Sequence, residues 1–338
     1  MNDLYILNTM KKVFLSIALI TPIMISQNIN AQSKSNEFPA TEIRNQWVSM
    51  KLYLPNPENG YYRATRFDWS GIISSLLYEG HEYFTYWKST HDPTVHEDLS
   101  GPVESYSTPG LGYEEASPGE HFIRIGVGIL EKPDEEAYVW SKTYKIIDHG
   151  DWTVTRGDDW IEFQHDITSD FGYGYNYIKR IDLKKEKPGF TIRHRLKNTG
   201  MKLIETDQFN HNFFTIDQEP SGPAFSISFP FDLSTTYDLK GLMEIEKNEL
   251  FFIKQLQNNT IFLELDGYGT DITDHNITVQ NKKSGAGVTF TVDRPIHRMV
   301  FWACETTLSP ENYIFLSVSP GEETIWVSDY TLFLTGDR

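Results

Sequence analysis

Three things are scarce in this sequence of 338 residues: cysteine, basic side chains and long apolar runs. The single cysteine, Cys304, cannot form an internal disulfide, so a disulfide framework is excluded. Lysine and arginine total 30 against 47 aspartate and glutamate, which gives a formal net charge of −17. A chain so short of positive charge is poorly suited to neutralise phosphates. We therefore expect neither nucleic acid nor an anionic membrane surface as a partner.

Helical periodicity is also missing. No stretch repeats apolar residues every 3.6 positions for three turns, whereas apolar and polar or small residues alternate over 122–129 and 190–196. Pro-Gly turn sequences at 187–189 and 319–321 separate such segments. Many strands without intervening helices indicate one all-β, antiparallel sandwich or barrel, with few or no long helices. Further candidate strands include 176–183, 298–304, 312–318 and 323–334.

The N-terminal segment has the features of a targeting signal. A basic piece at 10–12 precedes a short apolar run at 13–20, and small Ala31 stands at the expected cleavage position. The run is too short to span a bilayer, and no cysteine follows Ala31 to carry a lipid, so we expect no membrane anchor. The predicted location is secreted or periplasmic. The predicted organisation is a signal peptide at 1–31, a polar tether at 32–46 and a single β domain at 47–338.

The most informative motif places a histidine between two amides. An Asn-Thr-Gly turn at 198–200 ends one candidate strand, and the aromatic-rich segment 208–214 contains His211 between Asn210 and Asn212. Side chains alternate along a strand, so His211 should point to the face opposite both amides. It could point into a cleft, or it could be a hydrogen-bonded core histidine, because histidine is of intermediate burial.

These residues resemble a known family. The Asn-Thr-Gly turn, followed by Asn-His-x-Phe-Phe at 210–214, is similar to the aldose 1-epimerase (galactose mutarotase) family and its wider superfamily. The Pro-Gly-Glu turn at 320–322, with Trp326 and Tyr330 after it, resembles the family's final strands. The resemblance covers roughly residues 175–333. It implies a large antiparallel β-supersandwich with a carbohydrate cleft on one face, a mono- or oligosaccharide partner and no cofactor.

The resemblance also implies catalytic roles. His211 stands in the place of the general acid that protonates the sugar ring oxygen, and a group that titrates near neutrality suits that step. The family's general base is a glutamate near the C-terminus, but Ser317 occupies the apparent position here. Glu305, at the end of an apolar strand, is the preferred candidate, and Glu311 is a further carboxylate nearby. Glu305 could equally be a solvated loop residue.

Candidate sugar-binding residues come from two earlier segments and from the motif itself. His96 takes the place of the family's second histidine, although the family's His-Gly-Gly form is absent, and it could instead be an exposed loop histidine. Arg66 offers a planar fork for sugar hydroxyls or a uronate carboxylate, and Trp69 could stack on a pyranose face. The alternative is a structural Arg–Asp pair beside a core tryptophan. Asn210 completes the set. The carboxylate-rich loop 91–98 lacks zinc or calcium spacing, so we expect no metal.

Three functions remain open from the sequence. The first is an enzyme that interconverts sugar anomers by acid–base catalysis with His211 and Glu305. The second is a non-catalytic carbohydrate-binding protein that has kept the cleft. The third is a polysaccharide lyase on the same fold, in which His211 and a tyrosine act on a uronate. A carboxylate within about 6–8 Å of His211 across a sugar-sized cleft would favour the first.

Overall fold

The computed structural model describes residues 38–335, and nearly all the regular structure in that range is β-strand. The predicted signal peptide at 1–31 lies outside the described residues. Two single-turn 3₁₀ helices are present, Ile216–Gln218 and Ile272–Asp274. The strands are β1 (Ala40–Arg44), β2 (Val48–Tyr53), β3 (Ile72–Tyr78), β4 (His81–Glu82), β5 (Val103–Tyr106), β6 (His121–Arg124), β7 (Gly128–Glu131), β8 (Ile146–Asp148), β9 (Asp151–Arg156), β10 (Trp160–Thr168), β11 (Gly174–Leu183), β12 (Gly189–Asn198), β13 (Ile204–His211), β14 (Phe225–Ser228), β15 (Met243–Glu246), β16 (Glu249–Phe252), β17 (Ile261–Glu264), β18 (Asn276–Asn281), β19 (Ala286–Val292), β20 (Arg298–Cys304), β21 (Thr307–Val318) and β22 (Glu323–Leu334).

Two antiparallel sheets form the body of the fold. The large sheet has ten strands in the order β15-β16-β14-β18-β19-β22-β12-β11-β10-β9, and the small sheet has five in the order β17-β20-β21-β13-β5. Their facing sides share one buried cluster, in which Leu263 and Phe301 of the small sheet belong with Val288 and Leu332 of the large one. Burial of this apolar surface is the main favourable contribution to the sandwich. The expected all-β sandwich is confirmed.

Charged groups are also buried between the two sheets. The ammonium of Lys179 on β11 pairs with Glu104 on β5 and lies 3.5 Å from Asp68, and all three side chains are fully buried. The Nε2 atom of His194 on β12 lies 3.1 Å from Glu104 Oε1. A buried charge is tolerated only when it is paired and hydrogen-bonded, so this cluster fixes the small sheet against the large one.

Two smaller sheets, β1-β2-β3-β4 and β6-β7-β8, complete the structure. Within residues 38–335, no helix is long and apolar enough to cross a membrane. The candidate strand at 122–129 is in fact a hairpin of β6 and β7, because Gly126 and Gly128 adopt φ values of 77° and 145° that turn the chain.

The predicted tether extends too far toward the C-terminus. Residues 40–44 form β1, which pairs along its whole length with β2. Ile43 is fully buried, and the backbone amide of Arg44 donates to the carbonyl of Asp158 at 2.7 Å. Sheet structure is therefore already present at residues 40–44, before the expected boundary at residue 47.

Candidate functional site

A cavity of about 570 Å³ lies on the face of the small sheet that points away from the large sheet. Strand alternation creates its floor: Phe301 and Ala303 face the core, so Trp302 between them faces the cavity. A volume of this size is in the range of about 300–1,000 Å³ that is typical of small-molecule sites. The residues of the cavity wall used below are Arg66, Glu97, Trp140, Phe209, His211, Trp302, Glu311 and Tyr313.

His211 and Glu311 meet in this wall. Gln208 of β13 pairs with Ile314 of β21, and continuing that antiparallel register brings residue 211 opposite residue 311. The His211 Nε2 and Glu311 Oε1 atoms are 3.1 Å apart, and the two side chains are only 4% and 5% exposed. The structure thus joins a histidine and a carboxyl group directly, closer than the spacing expected for two groups on opposite sides of a sugar.

Aromatic rings surround the histidine. Phe213 stacks on the His211 ring at 3.7 Å between centroids, while Trp302 and Phe67 approach it edge-on at 5.2 and 5.6 Å. Phe213 has a φ of 45°, a left-handed conformation that is strained for a bulky residue. Such strain persists only where the surrounding packing imposes it, and it often accompanies functional sites.

This environment determines where the proton of the pair lies. Burial, with the positive charge of Arg66 as a second cause, holds the pKa of His211 well below its usual value. Burial raises the pKa of Glu311 to about 8. At neutral pH the pair therefore holds one proton, on the carboxyl group, and has no net charge. One member can donate a proton while the other accepts one.

The guanidinium of Arg66 is a positive charge in the same cavity wall as the His211–Glu311 pair. Its side chain is half-buried, and its guanidinium carbon lies 4.6 Å from the centroid of Phe67 and 4.5 Å from that of Trp140. Arginine favours such stacking on aromatic faces. Among residues 38–335, no group accepts a hydrogen bond from this guanidinium, and no carboxylate oxygen lies within 4 Å of it. The alternative interpretation, a structural pair of Arg66 with Asp68, is not seen, since Asp68 faces Lys179 between the sheets.

Comparisons with known proteins support the architecture. No protein-family model and no curated protein matches the sequence. Solved structures do match: the Slr1438 protein from Synechocystis sp. PCC 6803 shares 12% identity over 88% of this chain and 96% of its own, with a TM-score of 0.54. A galactose mutarotase related enzyme from Lactobacillus acidophilus shares 10% identity over 88% and 99%, with a TM-score of 0.52. A GalM/aldose epimerase homologue from C. elegans shares 12% identity over 87% and 98%, also at 0.52.

The chain has the galactose mutarotase-like fold. At 10–12% identity the likeness concerns the fold alone, so the roles of side chains rest on their geometry. Within this galactose mutarotase-like sandwich, the structure brings together two of the six predicted site residues, His211 and Arg66, at the cavity. Glu311, the further carboxylate near Glu305 in the sequence, also lines this cavity.

Glu305 does not reach the cavity. It lies in the exposed turn between β20 and β21, where its Oε2 atom accepts a hydrogen bond from the backbone amide of Asn258 at 3.1 Å. The structure therefore places Glu311, and not Glu305, beside His211. Strand β21 begins at Thr307 and includes Pro310, so Glu311 is a strand residue with its side chain facing the cavity.

Three predicted sugar-binding residues lie behind the cavity wall. His96 packs edge-on against Trp140 at 5.1 Å, so Trp140 rather than His96 lines the cavity. Trp69 is 1% exposed, and its indole nitrogen donates to the carbonyl of Ala64. Asn210 points to the inner side of the sheet, as strand alternation predicts, and donates to Glu104 Oε1 at 2.9 Å. None of these three residues is among those that line the cavity.

Proposed function

We propose that this protein is an aldose 1-epimerase-like isomerase that interconverts sugar anomers with His211 and Glu311 as its acid–base pair. The observation that carries the proposal is the 3.1 Å contact between these side chains in the wall of a cavity of small-molecule size. The fold of the neighbours named above supports it, because they include a galactose mutarotase related enzyme.

The interconversion of anomers requires two proton transfers, one at each of two oxygens that are bonded to the same carbon. The ring oxygen and the anomeric hydroxyl of an aldose are both bonded to C1. During ring opening the ring oxygen receives a proton, and the bond between C1 and the ring oxygen breaks with its electron pair going to that oxygen. The anomeric hydroxyl loses its proton as the aldehyde forms. Rotation about C1–C2 and the reverse steps close the ring with either configuration. A pair that approaches C1 from one edge can serve both oxygens, which fits groups in direct contact.

The resting proton suggests an assignment different from the one that the resemblance implied. With a neutral imidazole beside a protonated carboxyl group, Glu311 donates to the ring oxygen and His211 accepts the hydroxyl proton. Ring closure returns both protons, so the pair is regenerated without a cofactor. The aromatic surfaces of Trp302 and Tyr313 in the same wall suit the apolar faces of a pyranose.

The two alternatives have less support. A lyase needs a tyrosine that readily ionises close to the catalytic histidine. Tyr313 contacts the pair here, since its hydroxyl lies 3.4 Å from Glu311 Oε2. Burial raises the pKa of Tyr313, which is the wrong direction for a base. A binding protein has no need of a buried carboxyl–imidazole pair, since amides and aromatic rings suffice to hold a sugar.

Polarimetry of freshly dissolved α-glucose and α-galactose tests the proposal. We expect the wild type to accelerate equilibration over buffer, and Glu311→Gln or His211→Asn to lose about 10²–10⁴-fold of that rate, the usual contribution of one acid or base. Glu305→Gln is the matched control and should keep the wild-type rate, because that carboxylate lies outside the cavity. Failure to accelerate the equilibration of any common aldose would disprove the proposal.

A further inference from the structure

Arg66 differs from the other charged residues of the cavity wall. The guanidinium carbon of Arg66 lies over the rings of Phe67 and Trp140, at 4.6 and 4.5 Å from their centroids. Aromatic rings supply no conventional acceptor for its N–H donors. No described residue offers them an acceptor within hydrogen-bond distance. A half-buried cation without an acceptor is costly, and a ligand that supplies one removes that cost.

The remaining charges of the wall already have partners. The carboxyl group of Glu311 contacts His211, and Glu97 accepts from the ammonium of Lys88 at 2.7 Å. Arg298 pairs with Glu264, and Asp207 Oδ1 lies 3.6 Å from the His297 ring. Although the chain has 47 acidic residues, none of those in the described range lies within 4 Å of the Arg66 guanidinium. Among the described residues of the wall, Arg66 is therefore a cation without an ion pair.

This charge lies next to the reacting pair. The Phe67 ring contacts both groups: its centroid lies 4.6 Å from the Arg66 guanidinium carbon and 5.6 Å from the centroid of the His211 ring. The positive charge of Arg66 also contributes to the lowered pKa of His211. In a pyranose, the ring oxygen is bonded to C5, and C5 carries the exocyclic carbon C6. A sugar oxidised at C6 thus has a carboxylate next to the ring oxygen, and Arg66, His211 and Glu311 line the same cavity.

We propose, on the basis of the proposed function, that Arg66 determines specificity by binding the carboxylate of a hexuronic acid. The preferred substrate class is then uronic acids, free or at the end of an oligosaccharide, and not neutral hexoses. A planar guanidinium matches a carboxylate with two parallel hydrogen bonds. A sugar phosphate is a less suitable ligand, because its two negative charges would need a second free cation. Arg298, the other arginine of the wall, is already neutralised by Glu264.

Binding is measured first, with ligands that cannot mutarotate. Isothermal titration calorimetry compares the methyl glycosides of galacturonate and galactose, and those of glucuronate and glucose. In at least one pair we expect the wild type to bind the uronide at least about tenfold more tightly, as for a charged hydrogen bond. Arg66→Gln should abolish that preference, and Arg66→Lys should keep part of it, because the charge remains and the fork is lost.

A matched control is available in Arg180, whose guanidinium stacks at 4.0 Å on Trp160 and pairs with Asp182 outside the cavity. Arg180→Gln should leave the uronide preference unchanged. If Arg66→Gln does not fold, the salt dependence of the wild-type preference replaces it, since a charge-based preference decreases as salt increases. A preference that does not change with salt would overturn the inference.

Mutarotation of the free sugars then separates the two proposals. A uronide preference that depends on Arg66, without mutarotation of any sugar, would contradict the epimerase function and support the binding role of Arg66. Mutarotation of hexoses with equal affinity for uronides and neutral glycosides would support the epimerase and overturn the inference. Tighter binding of a hexose 6-phosphate than of the matching uronate would also overturn it.

Discussion

At the scale of single residues, the surroundings of the His211–Glu311 pair give it its chemistry. Three aromatic rings around the histidine exclude water, and Arg66 adds positive charge on the same side. Both effects disfavour the imidazolium, while burial disfavours the carboxylate. An acid works best when its pKa is near the working pH, and the value of about 8 for Glu311 meets that condition.

The raised pKa of Glu311 predicts how stability depends on pH. Between the unfolded value near 4.5 and the folded value of about 8, the native state keeps a proton that the unfolded state releases, so stability falls as pH rises. His211 has the opposite effect, but only below about pH 6.5. From pH 6.5 to 8, the Glu311 effect should therefore decrease the free energy of unfolding by about 1–2 kcal/mol.

Urea denaturation at pH 6.5 and pH 8.0 measures this effect. Glu311→Gln should remove the decrease, because an amide does not titrate, whereas Glu305→Gln should keep it. The same slope in wild type and Glu311→Gln would show that Glu311 is already ionised in the native protein at pH 6.5.

At the scale of elements, the register between β13 and β21 decides the site, and it explains what the sequence could and could not predict. The Asn-His-x-Phe-Phe motif and strand alternation correctly indicate the direction of His211. The partner carboxylate depends on where β21 begins. The predicted strand started at residue 312, whereas β21 begins at Thr307 and runs through Pro310. Proline is usually confined to edges and bulges, so Pro310 gives no signal of a continuous strand. The pairing of distant strands, which brings Glu311 to His211, has no local sequence signal.

The buried cluster under β13 yields a second stability prediction. Lys179→Met leaves Glu104 and Asp68 without their counter-charge between the sheets, and we expect a loss of about 3–5 kcal/mol in the free energy of unfolding. Lys145→Met is the matched control. Its ion pair with Glu131 is largely exposed, so the loss should be below about 1 kcal/mol.

Urea denaturation of both variants at one pH compares the two losses directly. Equal small losses would mean that the cluster does not hold the sheets together. Because Asn210 also donates to Glu104, a folded Lys179→Met protein should in addition show weaker activity through displacement of β13.

At the scale of the whole molecule, the aromatic residues divide between two tasks. Trp69 and Trp326 are buried in the cores, while Trp140 is 50% exposed at the cavity. Periodicity and turn signals were enough to predict the all-β class, and two candidate strands, 298–304 and 323–334, match β20 and β22. The polar composition of residues 32–46 did not locate the start of the domain correctly. An exposed edge strand such as β1 has mostly polar side chains and resembles a tether.

The last prediction concerns that boundary. A chain that starts at residue 47 lacks β1, so the edge of β2 loses its pairing and the site filled by Ile43 is empty. We expect it to be less stable than a chain starting at residue 32 by at least about 2 kcal/mol, the value of one buried aliphatic side chain. A chain starting at residue 38 keeps β1 and also Phe38, whose ring lies 5.3 Å from that of Tyr61, and it should match the longer one in urea denaturation. If all three chains unfold at the same urea concentration, β1 contributes nothing and residues 32–46 behave as a tether after all.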